Sequence, residues 1–272
     1  MKNNLIVTDL DGTLLNNKHE ISTQNQKWIK KFKASGGLFT FATGRMEDTA
    51  LPYAEQLNID IPIISYNGAR IYCPIRKRIL YEQSLKIPKE IWEIIKSTKQ
   101  ENGVFIYSDG NSYVLERNSI VKEFEEKEKM QCILHQGDGL KNDPLTKVLL
   151  IMRDVQELNR IRKEIVQDGF NCETVFSEIN YLEILPAGVS KGKGLTKLIN
   201  YLNNHSPIHT IAVGDNLNDI SLLQTADNGI AVGNARKELK AVADVVLEQS
   251  NEEDAIAKLI ENLEGKTSKL NV

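Results

Sequence analysis

The sequence predicts an α/β protein with a parallel sheet, into which a separate α+β segment is inserted. Near both ends of the chain, short apolar runs alternate with segments of helical periodicity, as in strand–helix–strand units. Between these ends the pattern changes to hairpins and longer strands. With 272 residues, the chain has room for one large domain or two smaller ones.

The N-terminal part starts the alternation with the continuous apolar run 5–7, which is typical of a strand buried on both faces. Ile29 and Phe32 then follow at helical spacing after Ser22, a favoured N-cap residue. We expect, in order, a strand at 5–8, a helix at 22–34, a strand at 38–42, a helix at 47–57 and a strand at 62–65.

The same alternation returns after residue 190. There we expect a helix at 191–202, a strand at 208–213, a helix at 219–224 and a strand at 228–231. Strands that alternate with helices are joined by right-handed crossovers, so both ends should contribute to one parallel sheet.

The middle of the chain predicts the inserted segment, an α+β sheet covered on one face. We expect a hairpin of strands 69–72 and 78–81, a helix at 89–100, strands at 104–107, 112–115 and 147–152, a helix at 155–167, and strands at 172–176 and 181–185. Breaks in the periodicity place the boundaries near residues 84 and 186. Residues 1–84 and 186–272 would then form a core domain, and residues 85–185 the inserted one.

Composition excludes several classes of protein. Charged residues make up 26% of the chain and the net charge is -3, which offers no attraction to nucleic acid or anionic lipid. Cys73, Cys132 and Cys172 are too widely spaced for a disulfide framework or a thiolate zinc site. We expect neither a signal peptide nor a membrane span, because the first residues lack an apolar core with a small-residue cleavage site and no apolar run reaches about 18 residues. We expect a cytoplasmic protein, without nucleic-acid or membrane partners.

Two carboxylates, Asp9 and Asp11, stand where the first strand runs into a turn that contains Gly12. They would project at the carboxyl edge of the sheet, where open α/β sheets bind ligands. One carboxylate could attack phosphorus to form an aspartyl-phosphate while the other moves protons. A hard cation would then offset repulsion of an anionic substrate. Taken alone, this motif is also compatible with a polar turn.

Two further clusters follow strands of the predicted core. Residues 43–45, Thr-Gly-Arg, offer a hydroxyl and backbone N–H groups for phosphate oxygens, or form a simple helix N-cap. Residues 214–219, Gly-Asp-Asn-Leu-Asn-Asp, offer the oxygen ligands that a hard divalent ion prefers. An Asx-rich helix cap is the alternative interpretation of the second cluster.

Residues 188–195 are rich in glycine and lysine, but they do not form a Walker A loop. Lys193 and Gly194 depart from that pattern, and the segment follows a linker rather than a central strand. Lys191 begins the predicted helix and can supply a positive charge to a phosphoryl group or to an aspartate. A surface lysine is the alternative.

Together these motifs closely resemble those of the haloacid dehalogenase superfamily of aspartate-nucleophile phosphohydrolases. In order they are Asp-x-Asp-Gly-Thr at 9–13, Thr-Gly-Arg at 43–45, Lys191, and Gly-Asp-x-x-Asn-Asp at 214–219. The middle segment, with Asn67-Gly68-Ala69 and Glu183-Ile184, resembles the Cof-type subgroup with a C2B-type cap. The resemblance implies a Rossmann-like core with a parallel sheet and an inserted α+β cap domain.

The resemblance also implies a phosphatase that uses Mg²⁺ and acts on small phosphate esters. Asp9 would be the nucleophile, Asp11 the general acid and base, and Lys191 the third catalytic residue. Phosphate and substrate would be bound by Leu10, Thr43, Gly44, Arg45, Asn67, Gly68, Lys191 and Asn218. Mg²⁺ would be held by Asp9, the backbone carbonyl of Asp11, Asp215 and, directly or through bound water, Asp219.

The cap would close as a lid, with hinges near residues 84 and 186. Family members hydrolyse sugar phosphates, a phosphorylated riboflavin precursor, flavin mononucleotide or pyridoxal phosphate. Tyr107, Tyr113 or Tyr181 could stack on a substrate ring, although strand tyrosines more often serve packing. A phosphomutase with the same nucleophile and a non-catalytic phosphometabolite-binding protein are the alternative functions.

Overall fold

A computed structural model describes residues 3–136, 139–140, 143–167, 169–202 and 207–268. The fold is α/β, as the sequence predicts. The chain divides into two compact units, one formed by Met1–Arg45, Ala50–Tyr81 and Ser190–Val272, the other by Met46–Thr49 and Glu82–Val189. The assignment of a catalytic core and a cap to residues 1–84 with 186–272 and to 85–185 stays a prediction.

Numbered along the chain, the strands are β1 (Asn4–Thr8), β2 (Leu38–Phe41), β3 (Ile63–Ser65), β4 (Arg70–Cys73), β5 (Arg78–Glu82), β6 (Gly103–Ser108), β7 (Asn111–Val114), β8 (Ile133–Leu134), β9 (Leu145–Ile151), β10 (Cys172–Glu178), β11 (Tyr181–Pro186), β12 (His209–Gly214), β13 (Asn228–Ala231) and β14 (Val245–Val246). The α-helices are α1 (Thr23–Ala34), α2 (Glu47–Gln56), α3 (Lys89–Ser97), α4 (Ser119–Glu128), α5 (Val155–Gln167), α6 (Lys191–Leu202), α7 (Ile220–Thr225), α8 (Lys237–Lys240) and α9 (Ala255–Ser268).

The first unit is built on a parallel sheet with the strand order β14-β13-β12-β1-β2. In its centre, Ile6 of β1 lies opposite Ile211 of β12 and Phe39 of β2. Leu5 and Ile6 are fully buried, which explains why the apolar run of β1 is continuous rather than alternating. Because the strands are parallel, the carboxyl ends of β1, β2 and β12 meet at one edge.

A smaller sheet has the order β3-β4-β5 and belongs to the same unit as far as Tyr81 of β5. β3 and β4 pair antiparallel, and a parallel bridge joins Ala42, just after β2, to Ile64 of β3. The segments that follow β2 and β3 are therefore neighbours in space.

Helix ends in the first unit follow local capping rules. Oγ of Ser22 accepts the N–H of Asn25 at 3.0 Å, so Ser22 is the N-cap of α1 as predicted. The sequence predictions do not include α9, which is tied to α1 by the N–H of Ala257 donating to Oδ1 of Asn25 at 2.9 Å. Among the described residues, no helix has the length and apolarity needed to cross a bilayer.

The second unit contains one sheet with the order β10-β11-β9-β6-β7-β8, antiparallel apart from the β7–β8 pair. Helices α3 and α5 pack on one face, where Trp92 and Ile161 join a core with Val104 and Ile106 of β6. This is the predicted covered face.

The opposite face of this sheet is also partly covered, which the sequence does not predict. Phe124 of α4 packs on Phe105 with a ring separation of 4.3 Å. Phe105 alternates with its neighbours in β6 and therefore points away from α3 and α5. Helix α4 buries only Ile120, Val121 and Phe124 in an otherwise charged segment, so its periodicity is weak.

Candidate active site

Asp9 and Asp11 lie just beyond the carboxyl end of β1. The N–H of Asp9 donates to the carbonyl oxygen of Val213 at 2.8 Å, so the pairing with β12 extends into the site. Gly12 follows with φ +79°, and a Cβ there would lie 2.5 Å from Oδ2 of Asp215. Glycine is therefore required at this turn, which brings the segments after β1 and β12 into contact.

Lys191, the first residue of α6, supplies a buried positive charge beside Asp9. Its Nζ donates to Oδ1 of Asp9 at 2.7 Å and to Oδ1 of Asp219 at 2.6 Å. Burial disfavours the charged form of Lys191, but the carboxylates of Asp219 and Asp9 more than offset this and raise its pKa. The lysine is thus a fixed cation held between two carboxylates.

Asp9, Asp215 and Asp219 form an acidic cluster, in which one carboxylate oxygen of each residue lies within 4.8 Å of those of the other two. Burial raises the pKa of Asp9 well above its ordinary value; Lys191 opposes this shift, while Asp219 and Asp215 add to it. Burial and then the charge of Asp219 raise the pKa of Asp215 to about 7. The ammonium of Lys191 does not balance this concentration of negative charge, so the cluster favours a further cation.

The donor set fits a magnesium ion, because carboxylate oxygens are its preferred protein ligands. Oδ2 of Asp219 accepts the backbone N–H groups of Asp215 and Asn216, each at 3.0 Å, and Oδ1 accepts from Lys191. Oδ1 of Asp215 accepts from the hydroxyl of Thr13 at 3.0 Å. Within the described chain, no group donates to Oδ2 of Asp9 or of Asp215, so these two oxygens remain available to a cation.

Asp11 has different surroundings, because it binds Arg45 rather than Lys191. Nε and Nη2 of Arg45 donate to Oδ2 and Oδ1 of Asp11, both at 2.7 Å, and Nδ1 of His19 lies 3.3 Å from Oδ1. Desolvation raises the pKa of Asp11, but the hydrogen bonds from Arg45 and His19 outweigh it and hold the pKa well below its ordinary value. Two aspartates two residues apart thus have opposite pKa shifts.

Thr43, Asn67 and Asn218 meet at the same edge of the sheet. The N–H of Asn67 donates to the carbonyl oxygen of Thr43 at 2.9 Å, and Nδ2 of Asn218 donates to Oδ1 of Asn67 at 3.1 Å. Oδ1 of Asn218 is buried, and no described residue donates a hydrogen bond to it. Buried side-chain oxygens without a hydrogen-bond donor are rare in folded proteins, so Oδ1 of Asn218 is available to a donor group of a ligand.

Backbone geometry fixes the remaining predicted residues. Tyr66, Asn67 and Gly68 are consecutive left-handed residues with φ of +48°, +52° and +98°. A Cβ on Gly68 would lie 2.1 Å from the carbonyl oxygen of Ser190, so glycine permits the contact with the start of α6. Strained backbone of this kind concentrates at functional sites.

Two of the predicted phosphate-binding residues offer mainly their backbone. Gly44 lies between Thr43 and Arg45, whose N–H donates to Oγ1 of Thr43 at 3.1 Å. The side chain of Leu10 is fully buried in the hydrophobic core, so only its backbone is available to a phosphate. The first unit therefore holds every predicted site residue, but Leu10 contributes no side chain.

His19 is absent from the residues that the sequence predicts for the site. It follows Asp11 by eight positions, and a turn with φ +56° at His19 returns its ring to that carboxylate. No glycine or proline marks this turn, so the sequence gives little signal for it.

The chain is similar to known hydrolases over almost its whole length. A family model described as haloacid dehalogenase-like hydrolase matches residues 6–260. A pyridoxal phosphate phosphatase of Escherichia coli is 27% identical over 271 residues, covering 96% of this chain and 98% of the relative. A 5-amino-6-(5-phospho-D-ribitylamino)uracil phosphatase of Bacillus subtilis is 29% identical over 286 residues, covering 95% and 97%.

Solved structures show the same fold. A haloacid dehalogenase-like hydrolase from Bacteroides thetaiotaomicron aligns with a TM-score of 0.80 at 29% identity, covering 96% of this chain and 100% of that protein.

Proposed function

The chain belongs to the haloacid dehalogenase-like hydrolase family, and from this premise we propose that it hydrolyses small phosphorylated metabolites through an aspartyl-phosphate on Asp9. It is a Cof-type phosphatase, and hence a phosphoric monoester hydrolase. The proposed substrates are sugar phosphates, pyridoxal phosphate and flavin-related phosphates. Relatives named for pyridoxal phosphate and for 5-amino-6-(5-phospho-D-ribitylamino)uracil support the last two classes.

One observation carries the mechanism: Lys191 holds Oδ1 of Asp9 at 2.7 Å, while no described group donates to Oδ2. One carboxylate oxygen of Asp9 forms a bond to phosphorus as the ester P–O bond breaks, while the other oxygen stays with Lys191 or the cation, and the leaving alkoxide takes a proton from Asp11. Asp11 then removes a proton from water, whose oxygen attacks phosphorus. This second step releases inorganic phosphate and restores the carboxylate of Asp9.

Lys191, Thr43 and Asn218 hold the phosphoryl group in the proposal. Lys191 supplies charge, Thr43 its hydroxyl, and Asn218 the second N–H of Nδ2, the first being donated to Asn67. Donors fixed before the reaction stabilise the charge that develops on the phosphoryl oxygens. The bond from Nδ2 of Asn218 to Asn67 orients the amide, and the buried Oδ1 of Asn218 can accept a hydrogen bond only from a donor group of the substrate.

Mg²⁺ would be held by Asp9, Asp215 and the backbone carbonyl of Asp11, and would neutralise charge on the phosphoryl group when bound. Asp219 supports this set, because both of its oxygens accept hydrogen bonds from protein donors. Its contribution is to orient Lys191 and the backbone of Asp215.

Release of inorganic phosphate from p-nitrophenyl phosphate, with and without Mg²⁺, tests the proposal. A panel of phosphorylated metabolites then identifies the substrate class, and product analysis distinguishes hydrolysis from return of the phosphoryl group to an alcohol. D9N should show neither turnover nor a phosphorylated protein, whereas D60N, at a side chain 64% exposed, should match the wild type. Absence of phosphate release with every divalent metal would contradict the proposal.

The remaining predictions concern a motion of the protein, its location and its partners. Closure of the inserted segment as a lid, a cytoplasmic location and the absence of nucleic-acid and membrane partners stay predictions from the sequence.

A further inference from the structure

We propose that His19 is a positioning residue for the reaction: together with Arg45, it fixes the carboxyl group of Asp11 in the orientation needed to deliver a proton to the leaving oxygen. This inference rests on the proposed function, in which Asp11 is the general acid. It adds a residue that lies outside the motifs at 9–13, 43–45, 191 and 214–219.

The contacts of His19 converge on one oxygen of Asp11. Nδ1 of His19 lies 3.3 Å from Oδ1 of Asp11 and 3.5 Å from Nη2 of Arg45, which itself donates to the same Oδ1 at 2.7 Å. In the tautomer protonated at Nδ1, the ring therefore gives Oδ1 a second donor. Arg45 sets the plane of the carboxyl group through two bonds, and His19 limits its rotation out of that plane.

Asp11 needs such support more than Asp9 does. The Asp9 side chain is 7% exposed and is fixed by the fully buried Lys191, whereas the Asp11 side chain is 41% exposed. An exposed carboxylate samples several rotamers unless neighbours restrict it. A general acid contributes only when its proton lies within hydrogen-bond reach of the leaving oxygen.

The backbone at His19 directs the imidazole toward Asp11. Its φ of +56° is a left-handed conformation that is uncommon outside glycine, and histidine is among the residues that adopt it more often. The N–H of His19 donates to the carbonyl oxygen of Asn16 at 2.9 Å, and the hydroxyl of Tyr53 donates to the carbonyl oxygen of His19 at 3.0 Å. The turn is thus held closed from both sides, and the side chain it presents contacts Asp11.

Two variants separate the side chain from the backbone. H19G keeps the left-handed turn, because glycine adopts positive φ without strain, but it removes the imidazole. H19N also tolerates the turn, and its amide nitrogen occupies the place of Nδ1, so it is the conservative rescue. K77G is the matched control, since Lys77 has φ +47° in the turn between β4 and β5, outside the site.

The experiment measures how kcat depends on the leaving group of the phosphate ester. p-Nitrophenolate departs without a proton, so its ester needs little help from Asp11, whereas an alkyl phosphate such as glycerol phosphate requires protonation. We expect H19G to lower kcat for glycerol phosphate by about tenfold, a fraction of the 10²–10⁴ that a general acid is worth, with kcat for p-nitrophenyl phosphate within about twofold of wild type. H19N should recover most of the loss, and K77G should lose nothing.

Equal kcat of H19G and wild type on both esters would overturn the proposal, as would an equal loss on both esters, which indicates a structural role only. Wild-type protein that hydrolyses neither ester would refute the proposed function itself. A wild type active on both esters, with H19G impaired selectively on glycerol phosphate, would support both.

Discussion

Arg45 binds both carboxylate oxygens of Asp11, with Nε to Oδ2 and Nη2 to Oδ1 at the same distance of 2.7 Å. The Arg45 side chain is 7% exposed, whereas that of Asp11 is 41% exposed, so a buried guanidinium anchors a more accessible carboxylate. This bidentate pair favours the ionised form of Asp11. Asp11, the acid of the proposed first step, must therefore be protonated although Arg45 stabilises its ionised form.

The pair makes a pH-dependent contribution to stability, which R45M should remove. The pKa of Asp11 lies below its ordinary value of 3.8, so the contribution is fully present above about pH 4 and is lost as the pH falls through the lower, folded-state value. Urea unfolding at pH 6 and pH 3 should show a smaller difference between wild type and R45M at pH 3. A pH-independent difference would contradict this assignment, and D11N serves as the second variant.

Removal of the buried ammonium should impair turnover strongly. We expect K191M to reduce kcat by at least about a hundredfold, the scale for loss of one positioned electrostatic group. The variant also leaves the buried carboxylates of Asp9 and Asp219 without their shared cation, so its urea midpoint should fall. K193M is the matched control, because Lys193 lies two positions further on and is exposed. Near-normal kcat in folded K191M would contradict the role of Lys191.

The acidic cluster predicts that the magnesium-free protein loses stability as the pH rises from about 4 to about 7. Asp215 has an ordinary pKa of 3.8 and a folded-state pKa of about 7, so in this window the folded state holds a proton that the unfolded state has released. Urea unfolding after chelation, at pH 5 and pH 7.5, measures the effect. Saturating Mg²⁺ should reduce the loss, because the cation takes the place of the proton.

D215N should show a smaller loss of stability over the same pH range, and kcat at least about a hundredfold below wild type. The remaining slope would come from Asp9, whose pKa is also raised. An unchanged slope in D215N would show that Asp215 does not carry the raised pKa.

In the second unit, the ion pair of Lys147 and Glu183 offers a separate test of buried charge. Nζ of Lys147 lies 3.3 Å from Oε2 of Glu183, and both side chains are 4% exposed. K147M should destabilise the protein by about 3–5 kcal/mol, because it leaves a buried carboxylate without this ammonium, and K147M/E183L should be less destabilised than K147M. K122M, at an exposed pair with Glu126, should cost less than about 1 kcal/mol. If the stability losses of K147M and of E183L add up in K147M/E183L, the two side chains do not interact.

Much of the site is predictable because its residues follow strands. The apolar run of β1 indicates a buried strand, and parallel strands bring their carboxyl ends to one edge, so the sequence predicts that Asp9 and Asp215 lie together. Helix α6 also begins at the predicted Lys191. By contrast, the sequence predictions omit α9, although Ile256, Leu259 and Ile260 have helical spacing and buried side chains.

Other features depend on contacts that no local pattern records. Helix α4 is stabilised by Phe124 packing on Phe105, and its charged sequence resembles a loop. The contact of His19 with Asp11 requires a left-handed residue in a turn without glycine. Sequence periodicity identifies elements, but it does not identify which side chain a turn returns to the site.

Thr13 and Asp215, joined by a hydrogen bond, lie 202 positions apart in the chain. β1 has β12 on one side and β2 on the other, so during synthesis the first strand gains one neighbour early and the other only after most of the protein has emerged. At about 5–20 residues per second, the ribosome needs about 10–40 s to cover that interval. For that time the nascent Asp9 and Asp11 have neither Lys191 nor Asp215, and the newly made protein gains its catalytic centre only when the last third of the chain arrives.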